Sequence, residues 1–167
     1  TTAAHELYHA IQYAIDTYTY EGRGDWWFEA TATWMESEVF PEYGPSTAFL
    51  PGFALLPDLP VDHFVYPSTG ALEEYHQYGA GVFVRHIAER HGAETLRQSW
   101  TMAPSNGNPL EALDDLTGGA LDDDFFAMTR RNATWDYPDR AAHVSAILDW
   151  GGYTTRGSRR PTGTTFG

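Results

Sequence analysis

Apolar residues recur at helical spacing at the start of the chain and predict its first element. Leu7, Ile11 and Ile15 lie four residues apart, so on a helix they share one face, and Ala14 borders them. The pattern therefore predicts a first helix over residues 2–17.

A second apolar run follows after a break at two glycines. Apolar residues recur from Trp26 onward until Pro41 is reached. Because proline cannot continue a helix, we expect the second helix to cover 25–39, with Asp25 as its N-cap.

Proline dominates the next stretch, 41–69, which holds six of the ten prolines in the chain. Proline has no backbone N–H to donate, so most of this stretch cannot form regular hydrogen bonding. We therefore predict a long ordered loop whose apolar side chains pack against the core. Loops of this length are uncommon in compact domains unless they have a function. Two interpretations remain open: the loop forms a wall of a substrate cleft, or it simply covers the core.

The rest of the chain favours helices and gives little strand signal. The further predicted helices cover 71–91, 93–102, 109–116, 121–133 and 140–149. Gly92 ends the first of these, and Asn108 followed by Pro109 is a favourable helix start. Residues 151–167 are rich in Gly, Thr and Arg and indicate a tail or linker. The fold class is therefore mainly α, with one domain over 1–150.

Composition narrows the classes of partner and of metal ligand. The 167 residues carry a formal net charge of −13, which disfavours a nucleic-acid partner because that affinity needs clustered basic residues. The chain has no cysteine, so any metal would be held by His and carboxylate side chains. We see no apolar run long enough to span a membrane.

The strongest chemical signal is the segment His5-Glu6-Leu7-Tyr8-His9, a HExxH pattern on the first predicted helix. Residues four apart share a helix face, so both imidazoles can point at one ion with Glu6 beside them. Glu29 lies twenty positions after His9 on the second predicted helix. We therefore predict that His5 and His9 hold one metal ion.

The combined spacing, HExxH-x19-E, resembles the gluzincin clan of zinc metallopeptidases, including thermolysin-like enzymes and zinc aminopeptidases. The resemblance implies that Glu29 is the third metal ligand beside His5 and His9. The string from Trp26 to Glu36 is similar to the aminopeptidase segment W-x-x-E-G-x-A-x-x-x-E, with Ala30 in place of the glycine. Little-studied secreted bacterial gluzincins look closest, and they also carry a later tyrosine-glycine helix, which Tyr78-Gly79 would match. Thr33 stands where thermolysin-like enzymes have an aspartate, so the surroundings of the ligands must differ.

The resemblance implies the active-site helix and helical lower part of a gluzincin, whose usual sheet precedes the HExxH helix. Here the sheet is absent or lies upstream, so the chain is expected to be a fragment or to use 41–69 as its substrate wall. The resemblance also implies a secreted or cell-surface bacterial protein.

Two imidazoles and one carboxylate suit Zn²⁺, although cobalt or manganese would also fit. Glu6 would act as general base in peptide hydrolysis, with a peptide or protein as substrate. Clan members stabilise the oxyanion with a Tyr or His, and the candidates are Tyr78 and His76, followed by Tyr75 and His63. Glu36 and Asp16 are candidates to orient the ligand imidazoles.

Two other classes of function remain open. One is a zinc-binding module, catalytically weak or inactive, that binds peptides in a groove. The other is a helical interaction domain in which the HExxH pattern is accidental. Replacing Glu6 by Gln distinguishes an enzyme, which would lose hydrolysis, from a zinc-binding module without turnover. If the HExxH pattern is accidental, a chelator would change neither stability nor activity.

Overall fold

A computed structural model describes residues 2–15, 17–18, 22–43, 47–102 and 107–149. Its α-helices are α1 (Thr2–Ile15), α2 (Asp25–Val39), α3 (Leu50–Ala54), α4 (His76–Gly79), α5 (Gly81–His91), α6 (Ala93–Ser99), α7 (Pro109–Leu116), α8 (Leu121–Thr134) and α9 (Arg140–Asp149). Two 3-10 turns occupy Pro41–Tyr43 and Leu72–Tyr75. The described residues contain no β-strand, so the mainly α fold class is confirmed. None of these helices is both long and apolar enough to cross a membrane.

The helix α2 lies at the centre of the molecule. Most of its residues are buried, and Trp26, Trp27 and Phe28 are at most 1% exposed. Because 11 of its 15 residues are buried, this helix must be covered by neighbours on several sides. Accordingly α1 packs on one side of α2, and α4 and α5 pack against it as well.

The buried face of α1 is not its apolar face. Leu7 is 66% exposed and Ile11 48%, whereas His5 and Gln12 are buried. The spacing correctly predicts the helix, but the side turned toward α2 is the polar one. This is possible because the buried polar groups bond to one another and to α2, so their burial is compensated.

The predicted long helix over 71–91 is wrong as a single element. It begins as a 3-10 turn and is then interrupted at Ala80, between α4 and α5. Gly79 explains the close packing at the break, since a Cβ there would lie 2.7 Å from the carbonyl oxygen of Phe49. The segment that contacts this region is α3, which lies within the predicted loop 41–69.

The remaining helix predictions hold with shifted ends. The first helix ends at Ile15 rather than 17, and the helix predicted over 93–102 ends at Ser99. Asp25 is the first residue of α2, not its N-cap, which is Gly24. Asn108 is confirmed as an N-cap, because its side chain accepts a hydrogen bond from the backbone N–H of Leu110 at 3.1 Å.

The loop prediction is confirmed in one respect, because Phe53, Val61 and Phe64 pack against the main core cluster. The tail predicted over 151–167 lies outside the described residues. The domain boundary at 150 therefore stays a prediction.

Candidate metal centre

Three side chains from α1 and α2 converge where the sequence predicts a metal site. The ligand atoms of His5, His9 and Glu29 all lie within 4.8 Å of one another. Oε2 of Glu29 is 3.2 Å from Nε2 of His5 and 3.5 Å from Nε2 of His9. Two imidazoles and a carboxylate facing one point form a possible metal-binding group, as predicted.

Both imidazoles present Nε2 to the centre and turn Nδ1 outward. Nδ1 of His5 lies 3.1 Å from Oε1 of Glu36, within ion-pair range. Nδ1 of His9 lies 2.6 Å from Oε1 of Gln12. An outer partner on Nδ1 fixes ring orientation and leaves Nε2 free to bind an ion. The residues therefore fit a metal ion in two ways: two imidazoles and a carboxylate can bind it, and Glu36 and Gln12 orient the imidazoles.

Gln12 is the functional residue that the sequence reasoning missed. It is 1% exposed, and its amide Nε2 donates to the carbonyl oxygen of Phe28 at 3.0 Å and to Oγ1 of Thr31 at 2.8 Å. These bonds tie α1 to α2 and orient the amide toward His9. The available signal was its position three residues after His9, on the same helix face. Asp16, the other residue predicted to support a ligand, lies outside the described residues.

The charges of the centre stabilise one another in the metal-free protein. Burial tends to raise the pKa of Glu29, but the hydrogen bonds to His5 and His9 outweigh it and lower that pKa to about 2. Burial tends to lower the pKa of His9, yet its contacts with Glu29 and Gln12 raise it. The carboxylate is thus ionised at neutral pH, as a metal ligand must be.

Glu6 follows the first ligand on α1 and is exposed to solvent. Its carboxylate is close enough to act on its neighbours electrostatically, because its charge raises the pKa of both His9 and Tyr78. An exposed carboxylate beside a metal-binding group is positioned to exchange protons with water.

Tyr78 reaches the centre from α4. Its ring stacks near the ring of His5, with centroids 6.1 Å apart. Burial, followed by the negative charges of Glu29 and Glu6, raises the pKa of Tyr78 to about 12. Its hydroxyl therefore stays protonated at neutral pH and remains a hydrogen-bond donor.

His76 lies elsewhere, although the sequence made it a second candidate. It is 1% exposed, and its ring contacts the rings of Phe53 and His63 at centroid distances of 5.2 Å and 5.5 Å. Burial and the charge of His63 lower the pKa of His76 to about 4, so it is neutral at physiological pH. Its contacts are with the loop rather than with the metal-binding group, so we assign it to packing.

The other two candidates also have different partners. His63 contacts Glu73, with 2.7 Å between Nε2 and Oε1. Tyr75 stacks on Phe49 at a centroid distance of 5.7 Å. Among the tyrosine and histidine candidates, the one with a ring contact to a ligand is Tyr78.

Over the described residues the fold is all-α, and the site is a possible His₂Glu metal-binding group. The chain belongs to a family of unknown function (DUF6055), whose model matches residues 1–160. No curated protein matches the chain, and no solved structure does.

The gluzincin membership expected from HExxH-x19-E is therefore wrong, because the family that matches is one of unknown function rather than a peptidase family. Short motifs carry this kind of risk, since they fix a few ligand positions and leave the rest of the chain unconstrained. The metal-binding geometry stands independently of that membership.

Proposed function

We propose that this protein is a zinc-dependent hydrolase that cleaves peptide bonds. The observation that carries the proposal is the convergence of His5, His9 and Glu29 within 4.8 Å, because three ligands of this type leave a position open for water or substrate. Zinc is the metal that two imidazoles and one carboxylate suit best. The placement of Glu6 and Tyr78 around this group supports a catalytic rather than a purely structural role.

Bound zinc would lower the pKa of a coordinated water and polarise a substrate carbonyl. Glu6 accepts the proton from the attacking water and passes it to the leaving amine, which its exposed carboxylate allows. Tyr78 keeps its proton and donates a hydrogen bond to the developing oxyanion. Glu36 and Gln12 hold the two ligand imidazoles in position.

The test replaces one atom of the proposed base. Glu6→Gln keeps the size of the side chain and removes its basicity, so we expect zinc content to be unchanged and peptide hydrolysis to fall by about 100-fold or more. Zinc per chain is measured by elemental analysis, and hydrolysis with a mixed library of fluorogenic peptides.

Glu111→Gln is the matched control, because Glu111 is exposed on α7 and does not belong to the metal-binding group. It should keep full activity. Hydrolysis that is equal in the wild type and in Glu6→Gln would contradict catalysis. Zinc binding without any hydrolysis would instead indicate a peptide-binding zinc module.

A further inference from the structure

A cavity of about 450 Å³ opens between α2 and α5, and Tyr78 is one of the residues that line it. Trp34 and Glu38 of α2 form one wall, and Arg85 of α5 forms the other. Asp139, which immediately precedes α9, closes a third side.

Tyr78 belongs to both the cavity and the metal centre. Its ring lies 6.1 Å from that of His5, and the same residue lines one end of the cavity. The α5 residues in the wall run from Gly81 to Glu89, about 12 Å along a helix axis. An extended peptide advances about 3.3 Å per residue, so the cavity has room for roughly three to four residues.

The charged groups of the cavity leave it acidic. Arg85 is neutralised twice, by Oε1 of Glu89 at 2.8 Å and by Oδ2 of Asp139 at 2.7 Å. Glu89 is also paired with Arg131, at 2.6 Å. Glu38 is exposed, and within the described part of the chain it has no basic partner. The uncompensated charge is therefore a carboxylate.

We infer that this cavity binds the residues on one side of the scissile peptide bond and selects substrates with a basic side chain that reaches Glu38. The inference rests on the proposed peptidase function, and it adds the substrate class. An acidic surface with one unpaired carboxylate attracts Lys or Arg and repels Asp or Glu.

Binding is measured on zinc-loaded Glu6→Gln, so that no substrate is consumed. The probes are fluorescein-labelled alanine-rich octapeptides in which a single Lys, Gln or Glu is moved through each position, and fluorescence anisotropy gives the dissociation constants. At one position we expect the Lys peptide to bind about 10-fold more tightly than its Glu counterpart.

Glu38→Arg, made in the same background, should abolish or reverse that preference. Asp115→Arg makes the same charge change on an exposed position of α7 outside the cavity, and it should leave the preference intact.

A Lys preference that survives Glu38→Arg, or no preference at any position, would overturn the cavity assignment. The proposed function fails separately. If the peptides bind with the Glu38-dependent preference and wild-type protein hydrolyses none of them, the cavity stands and the peptidase does not. If the peptides are hydrolysed at a rate that is insensitive to the charge at position 38, the peptidase stands and the cavity assignment does not.

Discussion

Gln12 contacts both α2 and the proposed ligand His9, so its replacement should affect both the stability of the fold and the orientation of that imidazole. In Gln12→Leu the side chain keeps its approximate volume but loses three contacts, with His9, Phe28 and Thr31. Each buried hydrogen bond contributes about 0.5–1.5 kcal/mol, so we expect the free energy of unfolding to fall by about 2–4 kcal/mol. For a domain of this size that lowers the melting temperature by roughly 5–10 °C.

Zinc affinity should fall by about 10- to 100-fold in the same variant, because the imidazole of His9 loses its outer partner. Melting is followed by circular dichroism on metal-free protein, and affinity by competition with a chromogenic chelator. Gln12→Glu separates the two effects: it keeps an acceptor for Nδ1 of His9 but removes the donors to α2. It should therefore lose stability and retain zinc affinity.

The matched control is Gln98→Leu, since Gln98 bonds to exposed Glu94 at 3.0 Å, far along the chain from the metal ligands. It should change the melting temperature by about 1 °C at most and leave zinc affinity unaltered. The reasoning is refuted if Gln12→Leu binds zinc within twofold of wild type, or if it melts at the wild-type temperature.

Three further changes test other parts of the structure. Tyr78→Phe should lower kcat by about 10- to 100-fold with KM and zinc content nearly unchanged, and an equal fall in zinc content would show a ligand-positioning role instead. In metal-free protein the lowered pKa of Glu29 stabilises the fold above about pH 4.5, and this stability is lost as pH falls toward 2. The difference in melting temperature between wild type and Glu29→Gln should therefore shrink across that range, and a constant difference would argue against it. Gly79→Ala should destabilise the fold by about 1–3 kcal/mol in chemical denaturation, because its Cβ would overlap the backbone at Phe49, and wild-type stability would contradict this packing.

Sequence reasoning identified the members of the possible metal-binding group but not the residues that support them. His5 and His9 were predicted from helical geometry, which brings residues four apart onto one face, whereas Glu29 was predicted from the resemblance of HExxH-x19-E to the gluzincin spacing. Gln12 was missed, since its role depends on the position of the carbonyl of Phe28, which is set by the packing of α1 on α2.

The orientation of α1 and the break in the 71–91 segment depend on tertiary contacts in the same way. Hydrophobic periodicity cannot show that a polar face will be buried when its groups find partners on another helix. Hydrophobic periodicity also does not show that Gly79 packs closely against the backbone of α3 at the point where α4 ends. Both features depend on residues distant in the sequence.

The exposure of Leu7 and Ile11 has a consequence for how α1 is held in place. A helix that turns apolar residues to water gains less from the hydrophobic effect, so its attachment relies more on His5 and Gln12. An ion bound by residues of both α1 and α2 would then hold the two helices together. Local opening of α1 and release of the ion are linked equilibria, so zinc should slow amide hydrogen exchange in α1 more than in α7 or α8.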